Sequence, residues 1–334
     1  MASDRAAAPP PPTPPPSPSP VRADGEPLPW RRLARAELLR LRAPRAMRYA
    51  GIGLPLAIVA FGLSKLLLHD RDTAAAWRSA EERYATYLAD AQTHGLSVGS
   101  GLSARNYFRD PRYLMDTLSF GDLRTVVTAL AAAAVVFGMV AGGADWSSRV
   151  MLTLAAAEPR RFRLFATRAL LVAALSMAAT AAAGLLLVPL LLLTASTRGS
   201  TAGLDGVYWA ALASQYARGV LLVGLLCLLG YALAMLTRKA SVALAIGFLY
   251  LAGSDRIFAD RGPRGAEYAM DGLVFAVLNE KPVIPLARSE CIAGPGCEAV
   301  HVDLTAADGF LGVLIYLVPV LLVALWRFTR TDIT

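Results

Sequence analysis

Across residues 166–195 the chain carries one ionisable side chain, Arg168, among Leu, Ala, Val and Gly. As a helix this run exceeds the ~20 residues that cross a ~30 Å hydrocarbon layer. It reads as a membrane span with room to tilt and a bend at Pro189. Comparable runs lie at 49–68, 123–142, 220–236, 240–254 and 310–326, the fifth in chain order being the shortest. They are rich in Ala, Leu, Val and Gly without strict alternation, which favours spanning helices over a barrel. Charged residues make up only 17% of the chain, below the roughly 25% usual in soluble domains. The expectation is an all-α integral membrane fold with six transmembrane helices, occupying residues 49–328.

The polar segments set the sidedness. Residues 1–29 are dominated by Pro, Ala and Ser, cannot build a core, and read as a disordered tail without the apolar stretch of a signal peptide. Residues 30–48 read as an amphipathic interfacial helix. Trp30, Leu33, Leu38 and Leu41 share a broad face, Arg32 and Arg35 point away, and Leu39 breaks the pattern. Arg and Lys are dense in this arm, in the insert 143–168, in the turn at Thr237, Arg238 and Lys239, and in the tail 329–334. Six spans put all of these on one side, and the positive-inside rule makes that side cytoplasmic, with both termini there. The loops 69–122 and 255–309 then face out. The net charge of +8 is explained by this orientation and does not call for nucleic acid as a partner. Membrane lipid is the surrounding partner.

Smaller features follow. Lys65 sits where it would snorkel toward the outer surface. Gly138 and Gly142 have the spacing that lets helices approach closely. Tyr208, Trp209 and Tyr216 suit an interfacial aromatic belt. Residues 270–287 are amphipathic enough to dip into the membrane edge. Cys227 lies in an apolar run and reads as a small hydrophobe. Cys291 and Cys297 flank a Gly-Pro-Gly turn and would close a small disulfide loop if that segment faces an oxidising compartment.

The sequence offers no chemistry of its own. None of its three lysines follows a glycine, so no phosphate-binding loop of the GxxxxGK[ST] kind is present. There is no HExxH and no Gly-x-Ser-x-Gly elbow. His69, His94 and His301 lie far apart in loops, and Glu81 and Glu82 sit in a polar stretch beside Arg83, which reads as a solvated helix face. No catalytic residue, cofactor ligand or metal ligand is expected on this chain. Lys65, Arg124, Arg168 and Arg218 all lie near span boundaries, so no acid–base chain crosses the membrane.

The insert 143–168 separates the second and third spans. On a helix, Trp146, Val150 and Leu154 line one face with Met151 at its edge, while Ser148 and Arg149 point away. Glu158 followed by Pro159 ends or redirects that helix, and Arg160, Arg161 and Arg163 return to the headgroups. Two readings stand on the residues alone: an interfacial connector with topogenic arginines, or a short helix that passes a push from a cytoplasmic partner into two spans.

Three stretches carry a resemblance: "GADWSSRVMLTLAAAEPRRFRLFATR", "DPRYLMDTLSFGD" and "LGYALAMLTRKASVALAIGF". With the order of segments over about residues 30–330, they resemble the permease subunit of an ABC-2 type exporter. The proline-rich tail departs from that pattern. The resemblance implies a coupling helix between spans two and three and a dimer with a second permease copy or homologue. It also implies an ABC ATPase subunit docked on each insert, holding the ATP and Mg that this chain does not bind. Asp145, Trp146, Arg149, Met151, Glu158, Arg160 and Arg161 are the expected contacts with that ATPase. The alternatives are a non-transporting membrane scaffold, an accessory subunit, or an intramembrane enzyme.

Overall fold

The computed structural model describes residues 30–42, 45–95, 101–147, 161–259, 268–279, 283–286 and 300–330. The N-terminal tail, the centre of the insert, both cysteines of the Gly-Pro-Gly turn and residues 331–334 lie outside these. The elements begin with α1 (Trp30–Arg42), α2 (Arg45–Leu68), α3 (Thr73–Thr93), α4 (Ala104–Tyr107), β1 (Tyr113–Leu114) and α5 (Met115–Ser147). After the insert come α6 (Arg161–Arg198), β2 (Gly199–Ser200), α7 (Gly206–Thr237) and α8 (Ala240–Ala259). The chain closes with α9 (Met270–Leu278), β3 (Val283–Leu286), β4 (Val300–Asp303) and α10 (Ala306–Arg330).

Five of the described helices are long and apolar enough to cross a membrane: Met47–Leu68, Met115–Ala144, Arg161–Arg198, Gly206–Thr237 and Ala306–Arg330. The architecture is therefore all-α and of the multi-pass membrane type. The segment expected as the fifth of six spans is shorter. Its apolar part is Ala240–Gly253, about 21 Å of helix at 1.5 Å per residue, against a core of ~30 Å. Asp255 and Arg256 end that stretch, although α8 itself continues.

Helices α5 and α7 form the centre and run parallel. Both enter from the end marked by Tyr113 and leave at the end marked by Trp146. The two-residue strands β1 and β2, which precede them, pair in parallel with Tyr113 opposite Gly199. This pins the heads of the two helices side by side. A Cβ on Gly199 would run into the Tyr113 backbone, so only glycine lets the strands meet. Deeper in the bundle the two axes close up through small residues. A Cβ at Gly138 would strike the Cys227 carbonyl, one at Gly142 would stand 2.8 Å from the Tyr231 carbonyl, and one at Gly230 would strike the Val135 carbonyl. The Gly138–Gly142 spacing thus serves packing within the chain.

Helix α7 starts well before residue 220. Asp205 caps it, its carboxylate accepting from the Tyr208 amide at 2.8 Å. The stretch expected as an aromatic belt becomes helix, and two of its three aromatics turn inward. Tyr208 is buried and its hydroxyl meets Ser119 Oγ at 2.8 Å. Tyr216 reaches into α6, where the Gly184 amide donates to its hydroxyl at 2.7 Å and the hydroxyl donates to the Thr180 carbonyl. Gly184 leaves the room for that ring. Trp209 alone of the three stays exposed. Phenol groups in lipid need a partner, and neighbouring helices supply it.

The remaining helices pack around this pair. Helix α2 touches α6 through Ile58 and Gly62, the latter beside Leu190. Helix α9 buries Leu273, Ala276, Val277 and Leu278 against α10 and α7. Helix α10 opens with a reciprocal cap, Asp308 accepting from the Thr305 amide at 2.9 Å and hydroxyl at 2.6 Å. Cys227 is buried, with Sγ 3.7 Å from the Val172 carbonyl, and behaves as the small hydrophobe expected.

Candidate functional site

The Trp146 end gathers the termini of four long helices. Asp145 and Trp146 sit on the last turn of α5, and Arg161 opens α6. Thr237 closes α7, and Arg330 closes α10. Arg238 follows α7 in the left-handed conformation, with φ 59°, which turns the chain sharply toward α8 and returns its amide to the Ala234 carbonyl at 2.8 Å. That turn places the Arg238 guanidinium 4.7 Å over the Trp146 ring. The indole Nε1 faces Met235 Sδ at 3.4 Å. On its other side the ring meets Phe328 edge-on, centroids 6.3 Å apart. Phe328 continues to Phe165 at 5.9 Å, and Phe165 to Tyr231 at 5.6 Å.

One aromatic chain therefore joins α5, α10, α6 and α7 at a single level. Trp146 is half-buried in it. Two further ties close the ring. Arg327 donates to the Leu236 carbonyl at 2.7 Å, satisfying an orphan acceptor at the end of α7. Arg161 donates to the Thr329 carbonyl at 3.5 Å. Burial, and then the neighbouring charge of Arg327, hold the Arg238 guanidinium below the usual arginine pKa.

Of the contacts expected from the sequence, Trp146 and Arg161 are thus brought to one place. Asp145 shares the same last turn of α5. Arg149, Met151, Glu158 and Arg160 lie outside the described residues, as do Cys291 and Cys297.

Two charge pairs escaped the sequence reading. The first fastens α1 to the bundle. Arg168 Nε lies 3.3 Å from Glu37 Oε2, with side chains 5% and 3% exposed, and Arg40 stands 3.8 Å from Glu37 Oε1. The separation fits an ion pair, and no straight hydrogen bond reaches Glu37 Oε2. Helix α1 therefore packs on α6 through an acid as well as through its apolar face. Leu38 and Leu41 are partly covered, and Leu39 is left out at 60% exposure. A signal was present: Glu37 is the only acid between Trp30 and Arg42.

The second pair lies at the Tyr113 end. Lys65 does not snorkel freely. Its Nζ meets Asp122 Oδ1 at 2.7 Å, and Tyr113 donates to Asp122 Oδ2 at 2.8 Å. The helix α5 begins ahead of Asp122, which puts that carboxylate on the bundle instead of in the loop. Burial, together with the Asp122 carboxylate, pushes the Tyr113 phenol well above its ordinary pKa. The folded chain thus holds that proton more tightly than the unfolded chain does. Its stabilising contribution is complete below the ordinary tyrosine pKa of about 10 and is lost as pH rises beyond it. Unfolding followed across the alkaline range should show this loss in the wild type and a smaller one in Tyr113→Phe. Identical alkaline profiles would refute the assignment.

Among the described residues no group of three His, Cys, Asp or Glu side chains is placed to hold a metal ion. No family model matches the chain, and neither a curated protein nor a solved structure does so.

Proposed function

We propose that the chain is the membrane-spanning permease subunit of an ATP-binding cassette exporter of the ABC-2 type. It forms the translocation path as a dimer in the cell membrane and is driven by a separate ATPase subunit that carries ATP and Mg. The observation that supports this best is the anchoring of both ends of the insert. Trp146, before it, is locked onto α7 and α10, and Arg161, after it, is tied to the end of α10. Force applied to the insert reaches four helices through an aromatic chain that packs too tightly to absorb it.

Charge supports the same orientation. Arg161, Arg163, Arg238, Lys239, Arg327 and Arg330 cluster at the Trp146 end, while at the other end Arg71, Arg112 and Arg198 stand among Asp70, Asp72, Asp110, Asp205 and Asp271. The positive-inside rule then makes the Trp146 end cytoplasmic, where an ATPase is found, with both termini on that side.

Purified from its native membrane, the chain should bring with it a P-loop ATPase whose activity depends on this subunit. Arg160→Glu with Arg161→Glu should weaken that association at least about tenfold, because docking charges are reversed. Arg105→Glu, exposed on α4 at the far end, should leave it unchanged. An ATPase retained equally by both variants would rule out docking on the insert.

A further inference from the structure

Helix α7 carries a cation for which the described residues provide no partner. Arg218 Nε and Nη2 are buried without any hydrogen-bond acceptor, and among the described residues no ion pair compensates them. Arginine cannot shed its proton in a protein, so the charge persists. The residue as a whole is half-buried, and guanidinium nitrogens left without an acceptor on a membrane helix are costly and mark ligand paths.

The surroundings repeat the pattern. Gln215, one turn earlier on the same face, is only 6% exposed. Its Nε2 donates to the Leu278 carbonyl at 2.8 Å, at the end of α9, while its Oε1 has no partner. Arg124 of α5 stands on the other side of this α9 terminus. It is bound to neutral Asn279 at 2.5 Å and lies 5.5 Å over the Phe275 ring. Arg124, Gln215 and Leu278 line one small hollow. Among the described residues no carboxylate pairs with either guanidinium.

Depth decides what kind of anion fits. Counting back from Thr237 at 1.5 Å per residue puts Arg218 about 28 Å up α7, at the far face of a ~30 Å core. That is the level of lipid headgroups. Leu221, one turn on along α7, and Phe275, under Arg124, are exposed and apolar, a surface for acyl chains. A guanidinium fork matches phosphate oxygens.

We propose that Arg218, with Arg124 and Gln215 around the end of α9, receives the phosphate headgroup of an anionic amphiphile at the outer membrane boundary. The proposal rests on the exporter reading for its orientation, and it makes this the exit end of the path for cargo of that class.

The test uses the full chain in nanodiscs of phosphatidylcholine, with a phosphatidylglycerol probe photoreactive at its headgroup and adducts mapped by mass spectrometry. The expected result is an adduct on residues 214–222, displaced by unlabelled phosphatidylglycerol and not by phosphatidylcholine. Arg218→Gln should reduce it about tenfold or more, as expected for loss of a charged hydrogen-bond partner, and Arg218→Lys should keep part of it. No adduct on this stretch of the wild type overturns the proposal without recourse to any variant. Equal adducts in the wild type and Arg218→Gln overturn it as well. Displacement by inorganic phosphate as efficient as by the lipid would make the site one for a free anion and reject the amphiphile. No ATPase enters this experiment, so a chain that labels as expected but never associates with an ATPase would lose the exporter reading and keep the site.

Discussion

Replacing Glu37 with Leu should destabilise the protein by up to about 3–5 kcal/mol, the usual range for removing one member of a buried ion pair. Arg168, with its side chain 5% exposed, loses that carboxylate. Its permanent charge would remain inside the bundle at the start of the third long helix, and α1 would lose its hold on α6. Thermal unfolding in detergent, followed by size-exclusion chromatography, measures the loss. The double variant Glu37→Leu with Arg168→Met should recover most of it, because the charge leaves with its partner. Arg32→Ala, exposed on the same helix, should change stability by less than about 0.5 kcal/mol. A Glu37→Leu protein as stable as the wild type would show that α1 is held by its apolar face alone.

The second large effect is expected at the α5–α7 crossing. Gly138→Leu and Gly230→Leu each drive a side chain into the opposite helix backbone, which cannot rotate aside as a side chain would. The helices must separate, and tightly packed interiors resist this at about 1–3 kcal/mol or more per site. Loss of folded protein in the same chromatographic assay is the readout. Gly51→Leu is the control, since nothing lies within 4 Å of the new Cβ. If all three variants behave alike, the close approach of α5 and α7 is not what holds the centre together.

The apolar runs were legible because lipid imposes one rule on every residue of a span. Long stretches such as the one around Gly184 could therefore be read from local content. The Gly138–Gly142 pair was legible for a similar reason: small side chains at that spacing can serve close packing. Trp146 was legible as part of an apolar helix face, but its packing on Met235, Arg238 and Phe328 within the chain was not. Partners that come from distant segments leave no local trace. Nothing near Glu37 announces Arg168, and nothing near Lys65 announces Asp122. Tyr216 looked interfacial because a tyrosine at a helix end usually is, and only the packed bundle shows Gly184 opposite it. The early start of α7 was missed because Tyr208, Trp209 and Tyr216 read as an interfacial belt ahead of the span, whereas Asp205 caps them into helix.

The Tyr216 hydroxyl has a mechanical consequence for α6. It shares the rung between Thr180 and Gly184, and Pro189 deletes another amide just beyond. Two weakened rungs within three turns divide that long rod into a near half and a far half. The stiffness between them depends on a side chain borrowed from α7. Sliding α7 along its axis would withdraw the phenol from both groups, so this one hydroxyl ties the height of α7 to a fixed rung of its neighbour.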